Sequence, residues 1–217
     1  MIKALIFDLD SCLSAANEVG DHLFKPAFDA IREANRGTVA DNMLKQAFLD
    51  CWRFPFNDVA HKYGFTEEMT KAGFAAFAQI EITEPMHGYG DLNVLRELSQ
   101  KLFLVTSGFR RLQESKVDAL GIRELFAEIR IDAIDQPGSK GKSWHFEEIL
   151  KSHSLKPEDV MVVGDNPDSE IAAGNCLGMK TVQILRPGVP IGNNASYYAN
   201  SLESLNSILT SLSKGRD

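Results

Sequence analysis

Cysteine is scarce in this chain of 217 residues, which carries three: Cys12, Cys51 and Cys176. They form no C-x-x-C pair and no spacing that suits zinc, which argues against a disulfide scaffold or a zinc module and fits reduced thiols in the cytoplasm. Long apolar runs are also missing. The first one, Ala4-Leu5-Ile6-Phe7, stops at Asp8, far short of a signal-peptide core or a membrane span. An unprocessed cytoplasmic protein with no membrane partner is expected. There is no basic excess: 23 Lys and Arg stand against 30 Asp and Glu, for a net charge of −7. With no basic stripe, nucleic acid is a poor partner. The five histidines show no metal-ligand spacing, and no internal repeat or low-complexity tract breaks the chain.

What is present is enough apolar residue, 44% of the chain, to bury the core of one α/β domain with a sizeable insertion. Three β-rich runs each end in polar or small residues: Ala4 to Phe7 before Asp8, Leu102 to Val105 before Thr106, and Val160 to Val163 before Gly164-Asp165. Near-continuous apolar strands are those of a parallel sheet covered on both faces. Helices are predicted over Leu112 to Leu120, Trp144 to His153 and Glu170 to Leu177, and further strands over Ala127 to Ile131 and Thr181 to Leu185. The alternation predicts an α/β fold: a Rossmann-like, doubly wound parallel sheet. In such sheets ligands bind beyond the carboxyl ends of the strands, where these polar residues fall.

The stretch from about Ser14 to Pro85 offers no buried strand. Its apolar stripes, Phe28-Ile31-Ala34, Met43-Leu44-Ala47-Phe48 and Met69-Gly73-Phe74-Ala76-Phe77, are helical, with breaks at Pro55 and Gly64. A division follows: 1–14 and 86–217 as a catalytic core, and 15–85 as an inserted α-helical cap lying over the end of the first strand. One more amphipathic helix and a polar tail are expected between Asn200 and Arg216.

Asp8 and Asp10 are the most telling pair. Side chains two apart on an extended chain point the same way, and two carboxylates in one cleft repel unless a cation or a shared proton offsets them. A carboxylate can attack phosphorus and form an acyl phosphate that water cleaves, so Asp8 is the candidate nucleophile and Asp10 the candidate general acid and base. Asp165 would complete an oxygen-rich site suited to Mg²⁺. Thr106, Ser107 and Gly108 supply a hydroxyl and backbone N–H groups for phosphate oxygens. The loop Gly138-Ser139-Lys140-Gly141-Lys142 offers two ammonium groups that could neutralise Asp8 and the phosphate.

Taken in order, these residues resemble the haloacid dehalogenase superfamily, chiefly its phosphatase branch with a helical cap inserted after the first motif. Asp8-Leu9-Asp10-Ser11-Cys12 matches its Asp-x-Asp-x-Thr/Val, Leu104-Val105-Thr106-Ser107 its second motif, and Gly164-Asp165 with a following acid its fourth. A lysine six residues ahead of an aromatic, its third, is similar to Lys140 and Phe146, and this favours Lys140 over Lys142. The resemblance implies a phosphoaspartyl intermediate and a metal held by Asp8, by the main-chain carbonyl of Asp10 and by Asp165. It also implies phosphate esters rather than halocarboxylates, because the dehalogenases lack the second Asp. Two departures stand out. Ser11-Cys12 replaces the commoner Gly-Thr, and Glu170 stands where the fourth motif has its second Asp, with Asp168 and Ser169 as alternatives if the turn is one residue tighter.

The expectation is a Mg²⁺-dependent phosphatase of a small phosphorylated metabolite, monomeric or homodimeric. Alternatives are a phosphomutase on the same fold, a phospho-accepting receiver-like domain, or a catalytically weak binding protein.

Overall fold

The computed structural model describes residues 1–214; the polar tail expected through Arg216 lies outside them. Six parallel strands form one sheet in the order β3-β2-β1-β4-β5-β6. They are β1 (Ala4–Phe7), β2 (Lys101–Gly108), β3 (Glu128–Ala133), β4 (Val160–Gly164), β5 (Lys180–Ile184) and β6 (Tyr197–Ala199). The first strand is central. Phe7 pairs with Leu104 of β2 on one side and Val163 of β4 on the other, so the chain leaves the middle of the sheet at Asp8. In this order the crevice for a ligand opens beyond the carboxyl ends of the strands.

Strand periodicity sends alternate residues to opposite faces. Leu5, Phe7, Leu104, Met161, Val163 and Val182 pack on one side, under α5 (Arg110–Ala119) and α8 (Leu202–Lys214). Ala4, Ile6, Phe103, Val105, Val160 and Val162 pack on the other, where α6 (Gly141–Ser152) contributes Phe146 and Ile149 and α7 (Glu170–Cys176) contributes Ala173. Sheet and covering helices are thus a Rossmann-like α/β layer structure, as expected. The sixth strand was not. It is three residues long at the sheet edge between polar neighbours, too short to show alternation.

Between β1 and β2 lie four α-helices, α1 (Lys25–Ala34), α2 (Asp41–Asp50), α3 (Phe56–Lys62) and α4 (Glu67–Phe77), with no strand among them. Thr66 caps α4 by accepting from the Met69 N–H. These helices share a cluster of their own, built on Phe24, Ile31, Phe48, Phe56, Met69 and Phe77, which extends to Phe109 and Leu112 at the start of α5. Met43, expected in an apolar stripe, is instead exposed. The insert therefore sits against the carboxyl end of β2. No described helix is long and apolar enough to cross a membrane.

Candidate active site

Asp8 follows the last residue of β1, and its N–H donates to the Val163 carbonyl at 2.9 Å, which carries the sheet pairing one residue past the strand. Its side chain is 8% exposed. A buried carboxylate needs an opposite charge, and the Lys142 ammonium supplies one at 2.9 Å from Oδ1. Lys142 also lies 2.7 Å from Oε2 of the buried Glu170.

The two lysines of the third-motif loop part here. Lys140 points away: its ammonium stands 4.3 Å from the centroid of the Trp144 ring, on the surface. The cause is Asp132 at the end of β3, which accepts from the Lys140 N–H at 2.9 Å and from the Ser139 hydroxyl at 3.0 Å. Those bonds fix the loop so that α6 starts at Gly141 and its next residue, Lys142, faces the sheet. Burial works against the Asp132 carboxylate, but these donors outweigh it and hold its pKa below the ordinary range.

The fourth-motif alternatives also separate. Asp168 is exposed, Ser169 lines the cavity, and Glu170 is buried, accepting from the Asn166 N–H at 2.6 Å as well as from Lys142. Gly164 makes room for it: a Cβ there would stand 2.3 Å from the Glu170 Cγ. Carboxylate oxygens of Asp8, Asp165 and Glu170 lie within 4.8 Å of one another, all buried. Burial pushes Asp8 up to about 7 against the pull of Lys142, and burial followed by the charges of Glu170 and Asp8 pushes Asp165 up to about 8. Burial also opposes the Lys142 ammonium, yet Asp8 and Glu170 outweigh it and raise its pKa. A cluster with more negative than positive charge, built of hard oxygens, fits a divalent cation such as Mg²⁺.

Asp10 sits on the next turn with its side chain 26% exposed. Two residues missed in the sequence reading hold it: Lys116, 2.6 Å from Oδ1, and Gln113, 3.0 Å from Oδ2. The signal was there. Lys116 falls four residues after Leu112 and next to Val117 on the core-facing side of α5, where a lysine without a buried partner would be costly. Ser11, at the departure from the family's Gly, adopts a left-handed φ of 57°. Cys12 is buried, and its thiol lies 3.7 Å from the Val163 carbonyl.

A cavity of about 150 Å³ lies over these groups, and its floor includes Asp8, Asp10, Thr106, Ser107, Gly108, Lys142 and Asp165. Its roof is the insert: Phe24, Trp52, Arg53, Phe54, Phe56 and Phe77. Arg53 also bonds across to the core, NH1 to the Gly188 carbonyl at 3.1 Å. Arg110 and Arg111 do not reach the cavity; they bond Gln136 and Glu81. His145 is buried against Asp132 at 3.3 Å.

The sheet order and this convergence of buried acids define an open α/β fold with its candidate site beyond the carboxyl end of β1, and comparison with known proteins gives the family. The model of the haloacid dehalogenase-like hydrolases matches residues 2–178, and the chain belongs to that family. The glyceraldehyde 3-phosphate phosphatase of Methanopyrus kandleri is 28% identical over 210 residues, spanning 86% of this chain and 85% of that protein. The protein of the same name from Methanocaldococcus jannaschii is 26% identical over 233 residues, spanning 99% of this chain and all of the relative, 100%. Among solved structures, a haloacid dehalogenase-type phosphatase from Thermococcus onnurineus superposes with a TM-score of 0.64 at 22% identity, covering 96% of this chain and 98% of its own.

Proposed function

We propose that the protein is a Mg²⁺-dependent phosphatase that hydrolyses a small phosphorylated metabolite through a phosphoaspartyl intermediate on Asp8, with the helices of 15–85 acting as a cap. The observation that carries this reading is the placement of Asp8: buried beneath a roofed cavity, paired with Lys142 and clustered with Asp165 and Glu170. Asp8 attacks phosphorus, and Asp10 gives a proton to the leaving oxygen and later takes one from water. Thr106 and the backbone of Ser107 and Gly108 hold phosphate oxygens, while Lys142 offsets the charge of the Asp8 carboxylate and the phosphate together. Lys140 drops out of this scheme. Asp8, Asp165 and the Asp10 main-chain carbonyl would hold Mg²⁺, with Glu170 fixing Lys142 and the Asn166 turn beside them. The ion, when bound, supplies charge neutralisation and a fixed orientation for the phosphate.

A cavity of about 150 Å³ is small beside the roughly 300–1,000 Å³ of pockets for drug-sized ligands, which favours a leaving group of a few atoms. The relatives' name makes glyceraldehyde 3-phosphate the first substrate to try. Release of inorganic phosphate from it and from a panel of sugar, nucleotide and organic-acid phosphates tests the reading. Turnover should require Mg²⁺, cease with EDTA, and vanish in Asp8→Asn with the circular dichroism spectrum unchanged. Full activity in Asp8→Asn would remove the nucleophile assignment.

A further inference from the structure

Lys116 carries the strongest observation that the phosphatase scheme leaves unused. Its side chain is 3% exposed, and an ammonium leaves water only where an anion and good geometry offset the desolvation cost. Its one ion pair among the described residues is with Oδ1 of Asp10, at 2.6 Å. Gln113 stands three residues earlier on α5, on the same helix face. Its amide nitrogen lies 3.0 Å from the other Asp10 oxygen, and its amide oxygen 3.4 Å from the Thr106 hydroxyl. The backbone is shaped for this reach: at Gly108, with φ of 153°, a Cβ would come within 2.7 Å of the Gln113 amide nitrogen.

Asp10 has no other side-chain partner among the described residues, and it sits beside the left-handed Ser11 on a turn outside any strand. A lone carboxylate there could rotate about two torsions. We infer that Gln113 and Lys116 form a fork on α5 that grips both Asp10 oxygens, making them positioning residues for the hydrolysis of the acyl phosphate, an inference that rests on the phosphatase reading. In that step a water oxygen bonds to phosphorus, the bond from phosphorus to the Asp8 oxygen breaks with its electron pair returning to the carboxylate, and the water's proton passes to Asp10. Water is a small nucleophile with no binding contacts of its own to align it. The direction of the accepting carboxylate therefore sets the geometry of the attack.

The fork is separable from a merely structural role because the two half-reactions depend on Asp10 differently. With p-nitrophenyl phosphate and Mg²⁺ the leaving group departs without a proton, so formation of the phosphoenzyme does not need the fork and its breakdown does. Lys116→Met should release a burst of nitrophenolate at the wild-type rate, then turn over roughly 10–100-fold more slowly, with kcat/KM unchanged. Lys116→Arg should restore most of kcat, and Gln113→Leu should show the same pattern more weakly. Undiminished kcat in Lys116→Met, or kcat and kcat/KM falling together, overturns the inference. If circular dichroism shows Lys116→Met unfolded, Gln113→Leu decides by the same two criteria. A wild-type protein that turns over no substrate would overturn the phosphatase reading and the fork with it, whereas wild-type turnover beside an unaffected variant removes the fork alone.

Discussion

At the scale of single residues, the two lysines of the 138–142 loop show how much depends on one hydrogen-bond acceptor. Both were visible in the sequence, and the resemblance to the family's third motif favoured Lys140. The structure buries Lys142 between Asp8 and Glu170 and leaves Lys140 over Trp144. What decides is Asp132, whose carboxylate takes the Lys140 backbone N–H and so sets the first residue of α6. That acceptor lies eight residues back, on the strand that leads into the loop, and no residue pattern marks its side chain as turned onto the loop's backbone. Removing a preorganised charge that faces a developing phosphoryl transfer costs about 10²–10³ in rate. Lys142→Ala should therefore lower kcat on a phosphate ester by that order, and Lys140→Ala should leave it within about twofold. Steady-state kinetics of the two variants check this, and a reversed order would return the role to Lys140.

At the scale of elements, the strands were legible because apolar runs stop at polar residues, and the five longer ones fall where the pattern put them. Asp8, Thr106 and Asp165 were legible for the same reason. Less visible was what ties the ends of those elements together. Arg186, just after β5, donates to the Cys12 carbonyl from Nε and NH2 at 3.1 and 3.0 Å and pairs with Asp91 at 2.8 Å. Asp91 in turn accepts from the Leu202 N–H at the start of α8 at 2.9 Å. One guanidinium thus joins the turn after β1, the segment leading to β2 and the last helix. Its partners are separated by long stretches of chain, so sequence spacing cannot reveal them. Both side chains of the pair are nearly buried, at 5% and 7% exposure, and breaking such a pair from one side leaves an uncompensated charge. Arg186→Met should destabilise the fold by about 3–5 kcal/mol. The double variant Arg186→Met with Asp91→Leu should recover much of that loss, because no buried charge is then stranded. Urea midpoints for the three proteins measure both effects, and equal losses in single and double variants would show that the bonds to the Cys12 carbonyl and from the Leu202 N–H matter more than the ion pair.

At the scale of the whole molecule, the insert and the sheet meet through aromatic rings, and few polar contacts cross between them. Phe109, 4% exposed at the start of α5, stacks on Phe77 of α4 with centroids 5.2 Å apart and lies 5.5 Å from Phe74. Beside this contact the polar links are modest. They are the Arg53 bond to the Gly188 carbonyl, an exposed pair between Arg111 and Glu81, the Ile82 N–H donating to the Ser115 hydroxyl at 2.9 Å, and the Glu18 carboxylate accepting from the His87 and Gly88 N–H groups, among the described residues. Exposed ion pairs contribute on the order of 0–1 kcal/mol, whereas truncating a buried phenylalanine costs about 3–5 kcal/mol. The aromatic contact should therefore dominate how firmly the roof sits over the cavity. Phe109 also belongs to the cluster shared by α1 and α4, while the sheet keeps its own apolar layers on both faces. Phe109→Ala should accordingly lower global stability by about 3 kcal/mol and, under native conditions, loosen the insert selectively. Amide hydrogen exchange should speed up across Lys25–Ala34 and Glu67–Phe77 while β1, β2 and β4 keep their protection. A uniform rise in exchange over sheet and insert alike would mean that the two share one cooperative unit, and a roof able to open independently over Asp8 would then have no energetic basis.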